Sequence, residues 1–578
     1  MILQALADYY RRKAEVNDGA MAPPGFELKR IPFVLVLDED GRLLQLADRR
    51  EGEGRSRSAK AELVPQSVKK TSGVAANLLW DSAEYVLGVD TKGRPERVNE
   101  EVAAFRTRLD QSFAECSADA GLQAVLAFLD NHREETLDGL SDHPCWPEIQ
   151  QTNPILTFQL SGDSELICQR PALVAALAAS NDDGSEDARA LCLVNGDDDV
   201  VERLHPAIKG VWGAQSSGAN IVSFNLPAFN SYGKTQGFNA QVGRRAAFAC
   251  TTALNHLLAK GSRQRVQVGD ASTVFWSEDL SGTPFEEAFL DFLRPQTDNP
   301  DAGAQAMASL YRCVSDGNPF TDDDSQRFHV LGLAPNAARI SVRFWHVATI
   351  AELGDAFYRY FNEVEIERPT WDSGAPLTLF WLLLSTAAQG KADNVAPSLA
   401  GEVMRAILNG GPYPEALLQA ALRRLRAEHN VTWHRAALLK AYLIRNLRDE
   451  EITVSLNEEN VDPGYRLGRL FAALERTQER AQGNLNASIR ERYYGAFSTT
   501  PVTVLPLLMK LKNHHLAKLQ NRGEAINLEK LLGGIIDGIS DVPSRLSLAE
   551  QARFAVGYYQ QRQAFFSGSD AAPIEPTE

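Results

Sequence analysis

The sequence predicts an α+β fold: a mixed α/β N-terminal portion with short antiparallel strands, followed by an all-α C-terminal helical bundle. Three observations carry this. Short β-branched and aromatic runs, bounded by Gly, Pro and Asp, recur as far as about Phe344. After about Pro376 the apolar residues switch to helical spacing, and no strand of comparable strength follows. At 578 residues and 44% hydrophobic content, the chain can build several packed cores. The expected division is residues 1–375, a bundle over 376–566, and a disordered tail over 567–578 that reads SGSDAAPIEPTE.

Taken in order, Ile2 to Lys13 has the apolar spacing of a helix, which Pro23, Pro24 and Gly25 then break. Ile31–Leu37, the turn Asp38-Glu39-Asp40-Gly41 and Arg42–Leu46 read as a β-hairpin. A helix is expected over Thr107–Asn131 and another over Arg245–Leu258, with strands at Ile155–Leu160, Leu191–Val194, Arg265–Phe275, Phe328–Leu333 and Arg339–Phe344. The bundle helices fall at Leu377–Ala387, Leu399–Leu408, Pro414–Ala427, Thr432–Leu447, Gly464–Ala481, Val502–Leu519, Leu528–Gly538 and Leu546–Phe565.

Charge is the feature that points to a partner. The net charge is −16, yet from Arg203 to Val268 there is no Asp or Glu, and eight basic residues stand there: Arg203, Lys209, Lys234, Arg244, Arg245, Lys260, Arg263 and Arg265. An acidic chain that keeps carboxylates out of one long stretch suits a polyanion, nucleic acid above all. Within it, Gly213 to Gly243 mixes glycines with Gln215, Ser216, Ser217, Asn220, Asn225, Asn230, Ser231, Tyr232, Lys234, Gln236 and Asn239. Amides and hydroxyls suit base edges, and glycines let backbone N–H groups approach phosphates. The same composition also suits a loop bed whose amides satisfy their own turns.

A second basic island runs from Arg42 to Lys70, with eight basic and four acidic residues. Lys69, Lys70, Thr71 and Ser72 stand just before an apolar stretch, with Asn77 inside it. That stretch reads as helical, so two ammonium groups, two hydroxyls and helix N-terminal N–H groups could converge on one phosphate; an ordinary N-cap at Thr71 or Ser72 with exposed lysines is the other reading. In the bundle, Lys510, His514 and Lys518 share one face, beside Leu508, Leu511, His515 and Leu519. Arg423, Arg424 and Arg426 cluster on another helix, with Arg435 and Lys440 on the next. These could line a groove for a single strand, or simply be solvated faces.

Catalytic signatures are scarce. GVDTKGRP, from Gly88, lacks the Lys that a phosphate-binding loop places after its second Gly, and no GxSxG or HExxH occurs. Asp197, Asp198 and Asp199, and Asp322, Asp323 and Asp324, are acidic clusters that suit either a metal or solvent. His143 and Cys145 lack a second ligand pair for zinc. The six cysteines lie far apart with no CxxC pair, as in a reduced compartment. The apolar run Leu377–Leu384 is too short for a bilayer, and MILQALADYY passes at once into RRK, unlike a signal peptide. A cytoplasmic protein with no cofactor, metal or membrane partner is expected. A metal-dependent nuclease using Asp322–Asp324 remains the alternative to a non-enzymatic nucleic-acid binder.

MILQALADYY, the APPGF break, IPFVLVLDEDG, LVPQSVKKTSGVAANLLWDSAEYVLG and SSGANIVSFNLPAFNSYGKTQG together resemble the large subunit of the type I-C CRISPR surveillance complex, Cascade. The resemblance extends over essentially the whole chain. It implies a non-catalytic subunit that reads the protospacer-adjacent motif in duplex DNA, assists strand opening and helps recruit the helicase-nuclease, while guide pairing reads the rest. Implied partners are the crRNA-bound backbone subunits, the crRNA-end-capping subunit, target duplex and displaced strand, and small subunits equivalent to the C-terminal bundle. Those small subunits would arise from an internal start such as Met404 or a codon near Val431. On this resemblance Gln215, Ser216, Ser217, Asn220, Asn225, Ser231, Lys234 and Gln236 would read the motif through the minor groove. Lys69, Lys70, Thr71, Ser72, Asn77, Arg244 and Arg245 would hold the backbone, and Arg423, Arg424, Arg426, Lys510 and Lys518 the displaced strand.

Overall fold

The computed structural model describes residues 1–16, 21–52, 57–68, 70, 73–182, 188–278, 284–293, 326–372, 377–483 and 488–567. They fall into two compact units, Met1–Ala207 with Val222–His256, and Ile208–Ile221 with Leu257–Glu578. The α+β class holds: strands concentrate in the first 349 residues and helices follow. Most of the expected tail, from 568 onward, and residues 373–376 at the expected boundary lie outside the described residues.

In the first unit the helix Ile2–Val16 buries Leu6, Ala7 and Tyr9. Beyond the proline break the chain returns, and Ala22 O accepts a hydrogen bond from Tyr10 Oη at 2.8 Å. The helix Arg244–Leu257 packs on the same helix, with Phe248 edge-on to Tyr10 at 5.8 Å and the Cys250 thiol donating to Leu3 O. Burial pushes that thiol up to about 12.

The hairpin expected at 31–46 is Phe33–Leu37 paired with Leu43–Asp48, and Asp38 accepts from the N–H groups of Asp40 and Arg42 to close its turn. It joins Ile155–Leu160 in parallel and then Trp80–Ser82 antiparallel, giving one mixed four-stranded sheet. The central strands are buried almost throughout, which is why they read as continuous apolar runs. The single helix expected over Thr107–Asn131 is two, Pro95–Ser112 and Ala120–Ala127, because Asp119 caps a new start by accepting from Leu122 N. The strand expected at Leu191–Val194 is Arg189–Leu191, paired with Asp198–Val200.

The second unit contains an antiparallel sheet ordered Arg265–Val268, Ala271–Ser277, Arg327–Asn336, Arg339–Thr349. The strand expected over Arg265–Phe275 is in fact a hairpin, since Gly269 turns at φ 61°. Helices Pro284–Leu293 and Ile350–Val364 cover one face through rings, with Phe292 against Phe357 at 4.7 Å and Phe275 against Phe289 at 4.9 Å. The helices after residue 376 are Leu379–Leu384, Pro397–Asn409, Glu415–Glu428, Trp433–Leu447, Pro463–Gln482, Ile489–Phe497, Pro501–Lys518, Arg522–Asp537 and Leu548–Ser567. One apolar cluster runs from Val266 to Tyr559, so sheet and helices share a core, and the change of pattern after Pro376 falls inside this unit.

Within it, helices Pro463–Gln482 and Leu548–Ser567 cross backbone to backbone. A Cβ on Gly468 would stand 2.0 Å from Phe554 O, and one on Gly557 would stand 2.3 Å from Tyr465 O. Only glycine fits that approach.

Candidate nucleic-acid interface

In the first unit, Lys70 Nζ lies 2.6 and 2.8 Å from the two Asp81 oxygens and 3.6 Å from the centroid of the Tyr85 ring. Asp81 is 4% exposed and also accepts from Asn77 N and Ser82 N. Asn77 is buried, its Oδ1 accepting from Val68 N. The segment Gly73–Leu79 is not helical; the chain enters the short strand Trp80–Ser82 and then the four-residue helix Ala83–Val86. Among the described residues no helix starts at this segment to receive the lysines: Lys70 closes an internal salt bridge and Asn77 closes a turn. Lys69, Thr71 and Ser72 lie outside the described residues.

The basic island before it is similarly engaged. Arg50 bridges Asp48 at 2.7 Å and Glu148 at 2.5 Å, and Arg57 meets Asp48 at 2.8 Å. Arg244 and Arg245 reach carboxylates from just before the acid-free stretch, Glu202 at 3.7 Å and Asp199 at 3.5 Å. A gap in the sequence is thus not a gap in space. Of the acidic triplet, Asp197 faces Asn195, Asp198 faces Arg189, and Asp199 faces Arg245. Among the described residues no group of three or more His, Cys, Asp or Glu is gathered for a metal; Asp322–Asp324 lie outside them.

What stays open in this unit is the loop from Asn225 to Thr235. Asn225, Ser231 and Lys234 are exposed, and Lys234 makes no side-chain ion pair or hydrogen bond with the described residues. The loop stands on a fixed base. Asn239 accepts from Ser231 N at 2.9 Å and donates to Lys234 O at 3.1 Å and Gln236 O at 3.0 Å. Gln236 Oε1 accepts from Arg203 at 2.6 Å, so this amide serves the base of the loop. Gly237 N donates to Arg203 O, and a Cβ there would stand 2.2 Å from Glu202 O. Both readings of the polar segment apply, then, to different residues: Asn239 and Gln236 satisfy the turn, while Asn225, Ser231 and Lys234 face outward.

Tyr232 belongs to the same polar segment but is not among the residues expected to read the motif. It is 100% exposed, with φ of 51°. The signal was present in Ser-Tyr-Gly-Lys, a turn sequence with glycine at its third position.

Gln215, Ser216, Ser217 and Asn220 belong to the second unit. The first three project from a turn closed by Gly218 N donating to Gln215 O, and all three are exposed. Asn220 O accepts from Ile340 N, which ties the turn to the sheet edge. In the helices, Arg424 pairs with Glu428, Arg426 donates to Gln551 Oε1, and Arg423 is exposed. Arg435 and Lys440 are buried, at 5% and 2% exposure, and so are packing residues rather than part of a surface groove. Lys510, His514 and Lys518 do line the outer face of Pro501–Lys518, with Leu508 and His515 inward, as their spacing predicts.

Among the described residues no helix is long and apolar enough to cross a membrane. Residues 6–566 match the family model described as CRISPR-associated protein (Cas_Csd1). No curated protein matches the sequence.

Proposed function

The chain belongs to the Cas_Csd1 family of CRISPR-associated proteins, and on that premise we propose that it is the non-catalytic large subunit of a cytoplasmic RNA-guided Cascade complex. It reads the protospacer-adjacent motif in target duplex DNA, assists strand opening and helps recruit the helicase-nuclease. Its partners are the crRNA-bound backbone and crRNA-end-capping subunits, small subunits like its own C-terminal helices, the target duplex and the displaced strand. Guide pairing supplies the long sequence match, so the protein needs to read only a few base pairs.

The observation that carries the reading is the outward-facing loop Asn225–Thr235, which presents Asn225, Ser231 and an unpaired Lys234 with no carboxylate in its own stretch of chain. An amide and a hydroxyl can address minor-groove acceptors, and one ammonium can hold the adjoining phosphate. Gln215, Ser216 and Ser217 offer similar chemistry on the second unit. Lys510 and Lys518 suit a displaced strand, which needs cations rather than base readout. The test is binding of the assembled complex to duplexes that differ only in the motif. Motif-dependent affinity that weakens on changing Asn225 or Lys234 supports the reading; equal affinity for every motif contradicts it.

A further inference from the structure

We infer that Tyr232 is a stacking residue, whose ring lies against a nucleobase exposed at the edge of the recognised motif; this rests on the DNA-reading role proposed above. A large aromatic ring that is 100% exposed and makes no contact with the described residues does nothing for the fold. It is also held in a conformation that L side chains avoid, with Tyr232 at φ 51° and Gly233 at φ 73° while Lys234 N donates to Ser231 O at 2.9 Å. Both central residues at positive φ make a tight turn for which Asn-Gly is the favoured pair. Tyrosine at the first position costs stability and brings no packing in return, so its use points to something outside the chain.

The surroundings say what that is. Asn239 clamps the turn through Ser231 N, Lys234 O and Gln236 O, and Gly237 sets the base against the Arg203 backbone. The turn that carries the ring is thus held on a fixed support, which leaves only the side chain itself to order on binding. Lys234 stands two residues on, exposed and unpaired, and Ser231 and Asn230 flank it. A flat apolar ring beside one ammonium and several hydrogen-bonding groups, with no carboxylate in its own stretch of chain, complements a base next to its phosphate.

The experiment uses the assembled complex and a motif-bearing target duplex carrying 2-aminopurine in the base pairs beside the motif. Tyr232→Phe and Tyr232→Trp keep the ring and should retain both affinity and the fluorescence change on binding. Tyr232→Ala and Tyr232→Asn should lose that change and weaken binding roughly 5- to 150-fold; Asn suits the turn, so its loss cannot be laid to a misfolded loop. If the wild-type complex binds motif-dependently and the Ala and Asn variants match it, or if Phe loses as much as Ala, the stacking role is overturned while the DNA-reading role stands. A wild-type complex that binds no target duplex overturns the DNA-reading role itself.

Discussion

Lys70 and Asp81 form a two-oxygen salt bridge, 2.6 and 2.8 Å, in which the carboxylate is buried and the lysine is one-third exposed. Removing the lysine leaves a buried carboxylate with only its two backbone donors, at a cost of about 1–2 kcal/mol. Lys70→Ala should therefore lower the unfolding midpoint and leave the salt dependence of DNA binding unchanged. Lys234→Ala should do the reverse, with unchanged stability and a log-log salt slope smaller in magnitude by about 0.9. Thermal melts and binding across a salt series on the two variants separate these roles; a reduced slope in Lys70→Ala would return it to the phosphate-contacting set.

The crossing of Pro463–Gln482 with Leu548–Ser567 predicts a sharp contrast between glycines. At Gly468 even a methyl group would force the helices apart, so Gly468→Ala should destabilise by about 1–3 kcal/mol. Gly533 lies in the helix Arg522–Asp537 with nothing within 4 Å of its would-be Cβ, so Gly533→Ala should stabilise by about 0.5–1 kcal/mol. Denaturant midpoints decide it, and equal effects at the two sites would refute the close approach.

Lys440 supplies a pH test. Its ammonium donates to the carbonyls of Asn362 and Glu363 at 3.3 and 3.1 Å, and burial pulls it down to about 8 from the 10.5 of a free lysine. Below about pH 8 both folded and unfolded chains hold the proton and the burial penalty is fully present. Between about 8 and 10.5 the unfolded chain holds more protons, so folded stability rises with pH. Relative to Lys440→Met, the wild type should gain on the order of 3 kcal/mol across that window. A stability difference that stays flat from pH 8 to 10.5 would show the lysine to be in contact with water.

No reaction is expected of the protein alone. Incubated with magnesium or manganese, it should leave DNA and RNA intact, as judged on denaturing gels. Cleavage that disappears in Asp323→Ala would establish the nuclease alternative instead.

The helices and the 33–48 hairpin were legible because long amphipathic repeats and a polar turn between apolar runs are local signals. Paired strands such as Phe26–Arg30 with Ala61–Pro65 were not, since FELKR and AELVP are short, half-polar and matched across a long interval. The site was legible as a composition and not as a list of contacts. Counting charges located the acid-free stretch, yet which carboxylate folds back on which cation depends on the turn geometry that brings Asp81 to Lys70 and Asp199 to Arg245. Burial likewise removed Asn77, Arg435 and Lys440 from the surface. Tyr232 stands out in the polar segment only once its full exposure and positive φ are known.

The most direct test of the account is the affinity of the assembled complex for target duplexes that carry every variant of the motif, measured with wild type and Asn225→Ala. The account predicts that wild type discriminates among motifs, and that Asn225→Ala loses roughly 1–3 kcal/mol on the preferred motif but far less on the others. Affinity that is the same for all motifs in the wild type, or a loss in Asn225→Ala that is uniform across them, would contradict it.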